Sequence, residues 1–462
     1  MPDPSRQAAV AARNRDFDPA RFETFRFVGY DFDRATLTAS LRYALDDEVE
    51  FTERVRFPGG VVPGDAVSRE ALDSLLSLLH LVAGVSYYKA AAPPAITVES
   101  GAAIDPSTAA FLERLYADGL SEFAWVNGID LRERVRFAPN TREAPVPGAP
   151  VRLERRTAVP IGGGKDSIVA LEALRAGGEP LVAFSVGRPE PILRTVAVAG
   201  VPHVAVERQL APELLELNAR GALNGHVPIT AVVSAIACAA APLYGFDAVA
   251  MANERSASEG NLSVGDVEVN HQWSKGLAFE RLMRQQLSRR APGLEWFSLL
   301  RPYSELAIAR AFARLDAYHA AFTSCNAVFR RDPARRSAKW CGDCPKCRFV
   351  FLILAPYLTP RQLTAIFGGD MLRDPGQVDG FAELMAVGGH KPFECVGEEE
   401  ESAAAFRLLA DDRDWRDAAV VRHVRDAVLP GLGRAGDPDA VLEPSGDHCL
   451  PPRYEEMVRA FL

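Results

Sequence analysis

The sequence has little cysteine and no excess of basic residues. Seven cysteines in 462 residues are too few for a disulfide framework, and three of them lie in one short stretch, which favours a reducing compartment and a metal site. Lys and Arg number 52 against 61 Asp and Glu, a formal net charge of −9. This balance excludes a basic coat for nucleic acid, because binding a phosphate backbone requires clustered cations. We therefore expect a cytoplasmic protein with no nucleic-acid partner.

Long apolar segments are also scarce. The N-terminal residues carry charges and prolines where an export signal needs an apolar run. The stretch 229–245 is apolar. Pro228 and Pro242 bound it, however, and a helix between them would be only about 20 Å long, too short to cross a membrane. It predicts a buried core helix. With 48% hydrophobic and 24% charged residues, the composition is that of a globular protein, and we expect no membrane partner.

The hydrophobic pattern predicts an N-terminal α+β domain over residues 1–145. Apolar residues alternate with polar ones between Phe25 and Phe57, and a leucine-rich segment at helical spacing follows from Leu72 to Leu79. The proline-rich stretch 138–150 predicts a linker.

The pattern after this linker is typical of an α/β domain with a doubly wound parallel sheet, predicted over residues 151–375. Short apolar runs alternate with helical segments. The runs occupy residues 157–161, 181–186, 203–207 and 247–253. A mostly helical C-terminal region is predicted over residues 376–462, with the acidic run at 398–401 as a solvated helix start.

A glycine-rich loop, IGGGKDS at residues 161–167, follows the first strand of this series. Successive backbone N–H groups at a helix N-terminus favour a polyphosphate, and Lys165 and Ser167 add a cation and a hydroxyl donor. The usual nucleoside-triphosphatase pattern is excluded, because Val159 and Asp166 stand where it needs a glycine and a Ser or Thr. A glycine-rich turn without a ligand is the alternative.

Ligands of such sheets bind beyond the carboxyl ends of the strands. Residues that directly follow the later strands are therefore further candidates for nucleotide binding. The predicted cofactor-binding residues are Gly162, Gly163, Gly164, Lys165, Asp166, Ser167, Ser185, Asn253, Glu254 and Arg255.

Four cysteines form a second candidate site. Cys341, Cys344 and Cys347 follow a C-x-x-C-x-x-C pattern, and Cys325 lies sixteen residues upstream. Four thiolates suit a tetrahedral Zn²⁺, and a closed shell implies a structural role. An iron–sulfur cluster or unligated thiols are the alternatives. Cys238, within an apolar segment, is expected only to pack.

The loop resembles the SGGKDS loop of the PP-loop ATP pyrophosphatases, with Gly162 in place of the usual serine. Those enzymes cleave ATP between its α and β phosphates. The cysteines resemble the zinc site of 7-cyano-7-deazaguanine synthases, which are PP-loop enzymes, and some tRNA-thiolating relatives carry an iron–sulfur cluster.

A wider resemblance runs from about Phe25 to past Ser402 through LNGHVPIT, MANERSASEGN, VNHQWSK, FTSCN, WCGDCPKCRFVFL and GHKPFECVGEEEES. These segments resemble the UDP-N-acetyl-α-D-muramoyl-L-alanyl-L-glutamate epimerases. The resemblance implies an isomerase of peptidoglycan synthesis that uses ATP and Mg²⁺ to invert the terminal L-glutamate of a UDP-linked muramoyl dipeptide, releasing AMP and pyrophosphate. It also suggests a functional link to a ligase that adds L-glutamate.

Adenylation of the α-carboxylate makes chemical sense in such a reaction. It removes the negative charge that opposes loss of the α proton and gives the developing enolate an oxygen for its charge. An acid–base pair then exchanges the proton. The predicted catalytic residues are His226, His271, Lys275 and Cys395, with His390 and Lys391 as further candidates.

Two groups of residues are candidates for the UDP-sugar phosphates. They are Tyr87, Tyr88 and Lys89, or Arg330, Arg331, Arg335 and Arg336. The rival functions are another AMP-forming PP-loop enzyme, either a nitrile- or amide-forming ligase or a tRNA thiolase, and a non-enzymatic nucleotide sensor.

Overall fold

The computed structural model describes residues 16–62, 68–141, 153–260, 262–264, 267–329, 336–337, 339–387, 391–392 and 394–462. The chain forms two compact units that interleave along the sequence. The first comprises Met1–Arg152, Val206–Tyr244 and Gln285–Gly293, and the second comprises Leu153–Ala205, Gly245–Arg284 and Leu294–Leu462. Most of the predicted linker, residues 142–150, lies outside the described residues.

The first unit contains a mixed sheet whose strands include those predicted between Phe25 and Phe57. In order across the sheet, the strands are the end of His203–Gln209, then Val49–Arg56, Thr38–Leu45, Thr24–Asp33 and Ala95–Val98. All neighbours pair antiparallel except Thr24–Asp33 and Ala95–Val98, which are parallel. The helices are Arg69–Ala83, Val85–Tyr88, Pro106–Ala117, Ser121–Asn127, Pro212–Arg220 and Ile229–Tyr244.

Apolar side chains of alternate strand residues form the core of this unit, as the period of two predicted. The apolar helix Ile229–Tyr244 is a buried core helix, as predicted, and Cys238 packs within it. The segment Arg69–Tyr88 is long and apolar enough to cross a membrane, but most of it is buried inside the structure, as in a core helix.

The three residues Tyr87, Tyr88 and Lys89 do not form a site for the UDP-sugar phosphates. Both tyrosines are fully buried, and Tyr87 donates a hydrogen bond of 2.9 Å to Glu53. Lys89 is also buried and donates to the Asn224 side chain at 2.9 Å. That interpretation was wrong because the aromatic rings fill the core. Of the alternative arginines, Arg330, Arg331 and Arg335 lie outside the described residues.

The buried His80 predicts an acid-sensitive first unit. Its Nε2 lies 3.0 Å from the Arg42 carbonyl oxygen, and burial lowers its pKa from 6.5 to about 4. The unfolded chain therefore takes up the proton first, so the free energy of unfolding falls as the pH drops from 6.5 toward 4, by on the order of 3 kcal/mol. We expect urea unfolding of His80→Gln to lose this part of the pH dependence. An identical dependence in both proteins would contradict the assignment.

The second unit contains four parallel strands in the order Glu295–Ser298, Phe246–Met251, Glu154–Pro160 and Leu181–Val186. They confirm three of the predicted βαβ runs, and the fourth falls within His203–Gln209. A small antiparallel ribbon joins Leu262–Val264 to Val267–Val269. The α/β class is confirmed, and these four strands are parallel, as predicted for this domain. The remaining predicted run, within His203–Gln209, pairs antiparallel with Val49–Arg56 instead.

Helices pack around these strands. They are Lys165–Ala176, Glu190–Ala199, Leu277–Arg290, Glu305–Phe312, Asp316–His319, Pro345–Leu354, Pro360–Phe367, Val378–Ala382, Glu399–Ala410, Ala419–His423, Pro438–Leu442 and Pro452–Phe461. The last residues of Leu277–Arg290 belong to the first unit. The C-terminal region is mostly helical, as expected, and contributes Phe406, Trp415 and Tyr454 to the same apolar core as the strands.

The acidic run at the start of helix Glu399–Ala410 is not fully solvated. Glu399 and Glu400 are exposed, but Glu401 is completely buried. Its carboxylate accepts hydrogen bonds from the backbone N–H of Glu305 at 2.7 Å and of Glu398 at 2.9 Å. Glu401 therefore joins two helix N-termini, whose unpaired N–H groups favour a carboxylate.

Candidate functional site

The glycine-rich loop lies between a strand and a helix, in the order that the sequence predicted. The strand ends at Pro160 and the helix begins at Lys165. Gly163 has a φ of +87°, and its carbonyl accepts from the backbone N–H of Thr323 at 2.9 Å. A Cβ on Gly164 would lie 2.7 Å from the Ser324 Oγ. The glycines therefore allow a turn and a close approach that larger residues would block.

Lys165 lies beneath this loop as a buried cation. Its Nζ forms ion pairs with Asp166 and with Glu305 of a following helix. Burial lowers the pKa of the Lys165 ammonium, but the two carboxylates outweigh it and raise the pKa above its ordinary value. Burial and the Asp166 charge raise the pKa of Glu305 to about 7, although Lys165 opposes them. The helix N-terminus and Lys165 together provide positive charge for an anion.

Three carboxylates beside Lys165 could hold a divalent cation. One oxygen from each of Asp166, Glu254 and Glu305 lies within 4.8 Å of the others. Carboxylate oxygens are the ligands that Mg²⁺ takes in proteins, usually together with substrate phosphates. The donor set therefore fits the expected Mg²⁺. Sequence reasoning missed Glu305, because it lies 140 residues from the loop and outside any motif.

The remaining predicted cofactor-binding residues have structural partners. Ser167 and Ser185 donate to the backbone oxygens of Gly164 at 3.1 Å and Gly187 at 2.8 Å. Asn253 donates to the Ser298 hydroxyl at 2.9 Å. Arg255 donates to two carbonyl oxygens of the C-terminal region, of Val441 at 3.2 Å and Glu443 at 3.1 Å. Their part in nucleotide binding stays a prediction.

Three predicted catalytic residues meet at one thiol. Lys275 is half-buried, and its Nζ donates to the Cys395 Sγ at 3.3 Å and to Gln272 at 3.1 Å. Burial raises the pKa of the Cys395 thiol, but the Lys275 charge and a hydrogen bond with His271 bring it down to about 6. Cys395 is therefore largely a thiolate at neutral pH, the form in which a thiol can act as a base.

The remaining candidates are His226, Lys391 and His390. His226 belongs to the first unit, where its Nδ1 lies 3.9 Å from Glu122. Lys391 is buried, with its Nζ 3.4 Å from the Gly397 carbonyl oxygen and 3.8 Å from Glu259. His390 lies outside the described residues.

Arg301 connects the backbone segments that carry Glu254 and Lys275, and this role was not predicted from the sequence. It is almost fully buried, and its guanidinium donates to the carbonyl oxygens of Glu254 and Lys275 and to the Glu280 carboxylate. Glu280 also accepts from the Ser298 N–H at 3.0 Å. Arg301 thus links the segment carrying one candidate metal ligand to the segment carrying Lys275.

Breaking the buried ion pair between Arg301 and Glu280 should destabilise the second unit. In Glu280→Gln, the Arg301 guanidinium keeps its burial but loses its charged partner, so we expect the free energy of unfolding to fall by about 3 to 5 kcal/mol. Asp447→Asn is the matched control, because the Arg281–Asp447 pair is exposed and worth at most about 1 kcal/mol. Denaturant unfolding measures both, and equal small losses would refute the role of the buried pair.

The four predicted metal-binding cysteines are brought together. The sulfurs of Cys325, Cys341, Cys344 and Cys347 all lie within 4.8 Å of one another. Cys347 Sγ is 3.6 Å from Cys341 Sγ and 3.5 Å from Cys344 Sγ. Bonds of about 2.3 Å in a tetrahedral zinc site separate the sulfurs by roughly 3.8 Å. The donor set therefore fits Zn²⁺, and Thr323, beside the cluster, also holds the glycine-rich loop.

Comparison with known proteins gives consistent matches along the chain. The MurL N-terminal domain matches residues 16–299, and the MurL C-terminal domain matches residues 321–436. The chain is similar to proteins named UDP-N-acetyl-alpha-D-muramoyl-L-alanyl-L-glutamate epimerase. That of Xanthomonas oryzae pv. oryzae is 46% identical over 96% of this chain and 98% of its own, and that of Salinispora tropica is 46% identical over 94% and 95%. The Micromonospora sp. protein is 45% identical over 94% and 97%.

Proposed function

Since the chain belongs to the UDP-N-acetyl-α-D-muramoyl-L-alanyl-L-glutamate epimerase family and is therefore an isomerase-type enzyme, we propose that it inverts the terminal L-glutamate of the UDP-linked muramoyl dipeptide in an ATP-dependent reaction. The α-carboxylate attacks the α-phosphorus of ATP to form an adenylate with release of pyrophosphate, the α proton is exchanged, and water then cleaves the adenylate to AMP and the D-glutamyl product. The proposal includes a PP-loop type of nucleotide binding by the second unit.

The proximity of the glycine-rich loop to the Cys395 thiol carries this proposal. Glu305, which pairs with Lys165 of the loop helix, lies 4.0 Å from the Lys346 Nζ, and Lys346 donates to the Cys395 carbonyl oxygen. Lys346 lowers the pKa of both Asp166 and Cys395. A phosphate-binding loop and a group able to remove a proton thus lie within electrostatic reach of each other. An ATP-dependent proton exchange requires both.

Each part of this region has a role in the proposed reaction. The loop N–H groups and Lys165 bind the phosphates, and Asp166, Glu254 and Glu305 hold Mg²⁺, which offsets phosphate charge when bound. The Cys395 thiolate removes the α proton, and Lys275 keeps it ionised. His271, which also contacts Cys395, is a candidate for returning a proton.

Trapping with hydroxylamine tests the activated carboxylate. The protein is incubated with ATP, Mg²⁺, hydroxylamine and the L-glutamyl dipeptide nucleotide, and the products are analysed by mass spectrometry. We expect the α-hydroxamate of the terminal glutamate, formed only with ATP. A γ-hydroxamate would contradict the proposal, because activation of the side-chain carboxylate leaves the α proton beside an unchanged anion.

The rival AMP-forming functions predict other products. A nitrile- or amide-forming ligase or a tRNA thiolase requires a second nucleophile, whereas an epimerase returns a product of unchanged mass. Family membership favours the epimerase. As part of the proposal, a cytoplasmic ligase adding L-glutamate to a nucleotide-linked alanine supplies the substrate, and the product serves peptidoglycan synthesis.

A further inference from the structure

We propose that Glu394 and Lys346 transmit the order of the four-cysteine cluster to Cys395, so that the cluster positions the thiol that exchanges the proton. This inference rests on the proposed function for its effect on catalysis, but not for the positioning itself. The cluster would then serve as a support for the reacting thiol as well as for the fold.

Lys346 provides the first connection. It lies between Cys344 and Cys347, in the first turn of the helix Pro345–Leu354. Its Nζ donates to the backbone carbonyl oxygen of Cys395, and it lies 4.0 Å from the Glu305 Oε1. The side chain is only 12% exposed, so its direction is fixed by its surroundings. Any movement of the two flanking cysteines would therefore move a group that holds Cys395.

Glu394 provides the second connection, from the residue before Cys395. Its carboxyl group, whose pKa is raised by burial, interacts with the Asn326 side chain and with the Lys346 backbone. Asn326 directly follows Cys325, which is the metal-ligand candidate from the other chain segment. Glu394 thus interacts with residues of both segments that supply the cluster.

Lys346 fixes the carbonyl oxygen of Cys395, and Lys275 fixes its sulfur at 3.3 Å. A metal bound to four thiolates would hold the two segments together, and without it their relative position depends on weaker packing. Misplacing a reacting group by about 1 Å can cost 10²-fold in rate. A loss of order at the cluster should therefore affect proton exchange more than ATP cleavage.

The first test replaces Glu394. We expect Glu394→Ala to lower kcat for inversion by about 100-fold, with KM for ATP and the rate of AMP formation unchanged within threefold. Glu394→Gln, which keeps an acceptor oxygen, should recover most of the activity. Glu383→Ala, an exposed carboxylate in the same unit, is the matched control. Inversion by Glu394→Ala within twofold of the unmodified protein would overturn the proposal.

The second test does not depend on the reaction. Trypsin releases residues 374–407 as one peptide, because Lys391 precedes Pro392, and Cys395 is its only cysteine. We expect the rate of Cys395 alkylation by iodoacetamide to change at least fivefold in Glu394→Ala, in Lys346→Ala and in the chelator-treated protein, with the two variants keeping their metal content.

An unchanged alkylation rate after metal removal would overturn the positioning role, whatever the reaction catalysed. If the rate does change but Cys395→Ala still inverts glutamate, the positioning role is upheld and the catalytic assignment of the proposed function is the part that fails.

Discussion

Replacing Cys395 by alanine is expected to stop inversion of the glutamate while ATP cleavage continues. The thiolate is held by Lys275 at 3.3 Å and is the proposed base, whereas the glycine-rich loop and its carboxylates remain intact. Because a positioned acid or base contributes about 10²- to 10⁴-fold, inversion should fall by that factor. Chiral analysis of the glutamate and quantification of AMP from the same reaction measure the two activities.

Lys275→Gln is the companion variant, because it retains the thiol but removes the charge that keeps its pKa near 6. The group must be ionised to act, so inversion by the unmodified protein should decline as the pH falls through about 6, and in Lys275→Gln the decline should begin at a higher pH. Full inversion by Cys395→Ala would exclude the thiol as the base.

Replacing Lys165 by glutamine is expected to abolish both activities. Lys165 is the buried cation at the start of the loop helix, and it pairs with Asp166 and Glu305. The substitution removes the positive charge proposed to bind the phosphates, and it leaves the Asp166 and Glu305 carboxylates close together without the ammonium that pairs with both. We expect AMP and pyrophosphate formation to fall by about 10³-fold, and inversion to fall with it, because the α proton becomes removable only after activation.

Arg175→Gln, at the other end of the same helix, is the control, because its side chain is 41% exposed and pairs with Glu172 at 3.1 Å. It should retain both activities. Should Lys165→Gln still cleave ATP at the original rate while remaining folded by circular dichroism, the loop would not be the phosphate site.

Sequence reasoning succeeded where the signal is local. The strand and helix that flank the loop at 161–167 follow from consecutive residues, and so does the spacing of Cys341, Cys344 and Cys347. Lys275 and Cys395 are predicted to be catalytic because they are polar residues in segments that resemble the epimerase family. The contact between them, across 120 residues, does not follow from the sequence.

Contacts between residues far apart in the sequence cannot be predicted from local patterns. Glu305 and Arg301 take their roles from residues far along the chain, and neither stands in a recognisable pattern. Glu394 lies in the segment GHKPFECVGEEEES, but its interactions with Asn326 and Lys346 are also far along the chain. Glu401 was expected in solvent because acidic runs usually are, yet two helix N-termini compensate its burial. The tyrosines at 87 and 88 predicted a ligand site. A tyrosine can equally well pack in a core, however, when its hydroxyl finds a buried acceptor, as Tyr87 does in Glu53.

The most direct test of the proposed reaction follows ATP cleavage and proton exchange together. The protein is incubated in D₂O with ATP, Mg²⁺ and the L-glutamyl dipeptide nucleotide, and AMP, pyrophosphate, glutamate configuration and α-deuterium are measured. We predict D-glutamyl product with deuterium at the α carbon, and AMP released in at least equal amount. Inversion without ATP cleavage, or ATP cleavage with neither inversion nor deuterium, would contradict it.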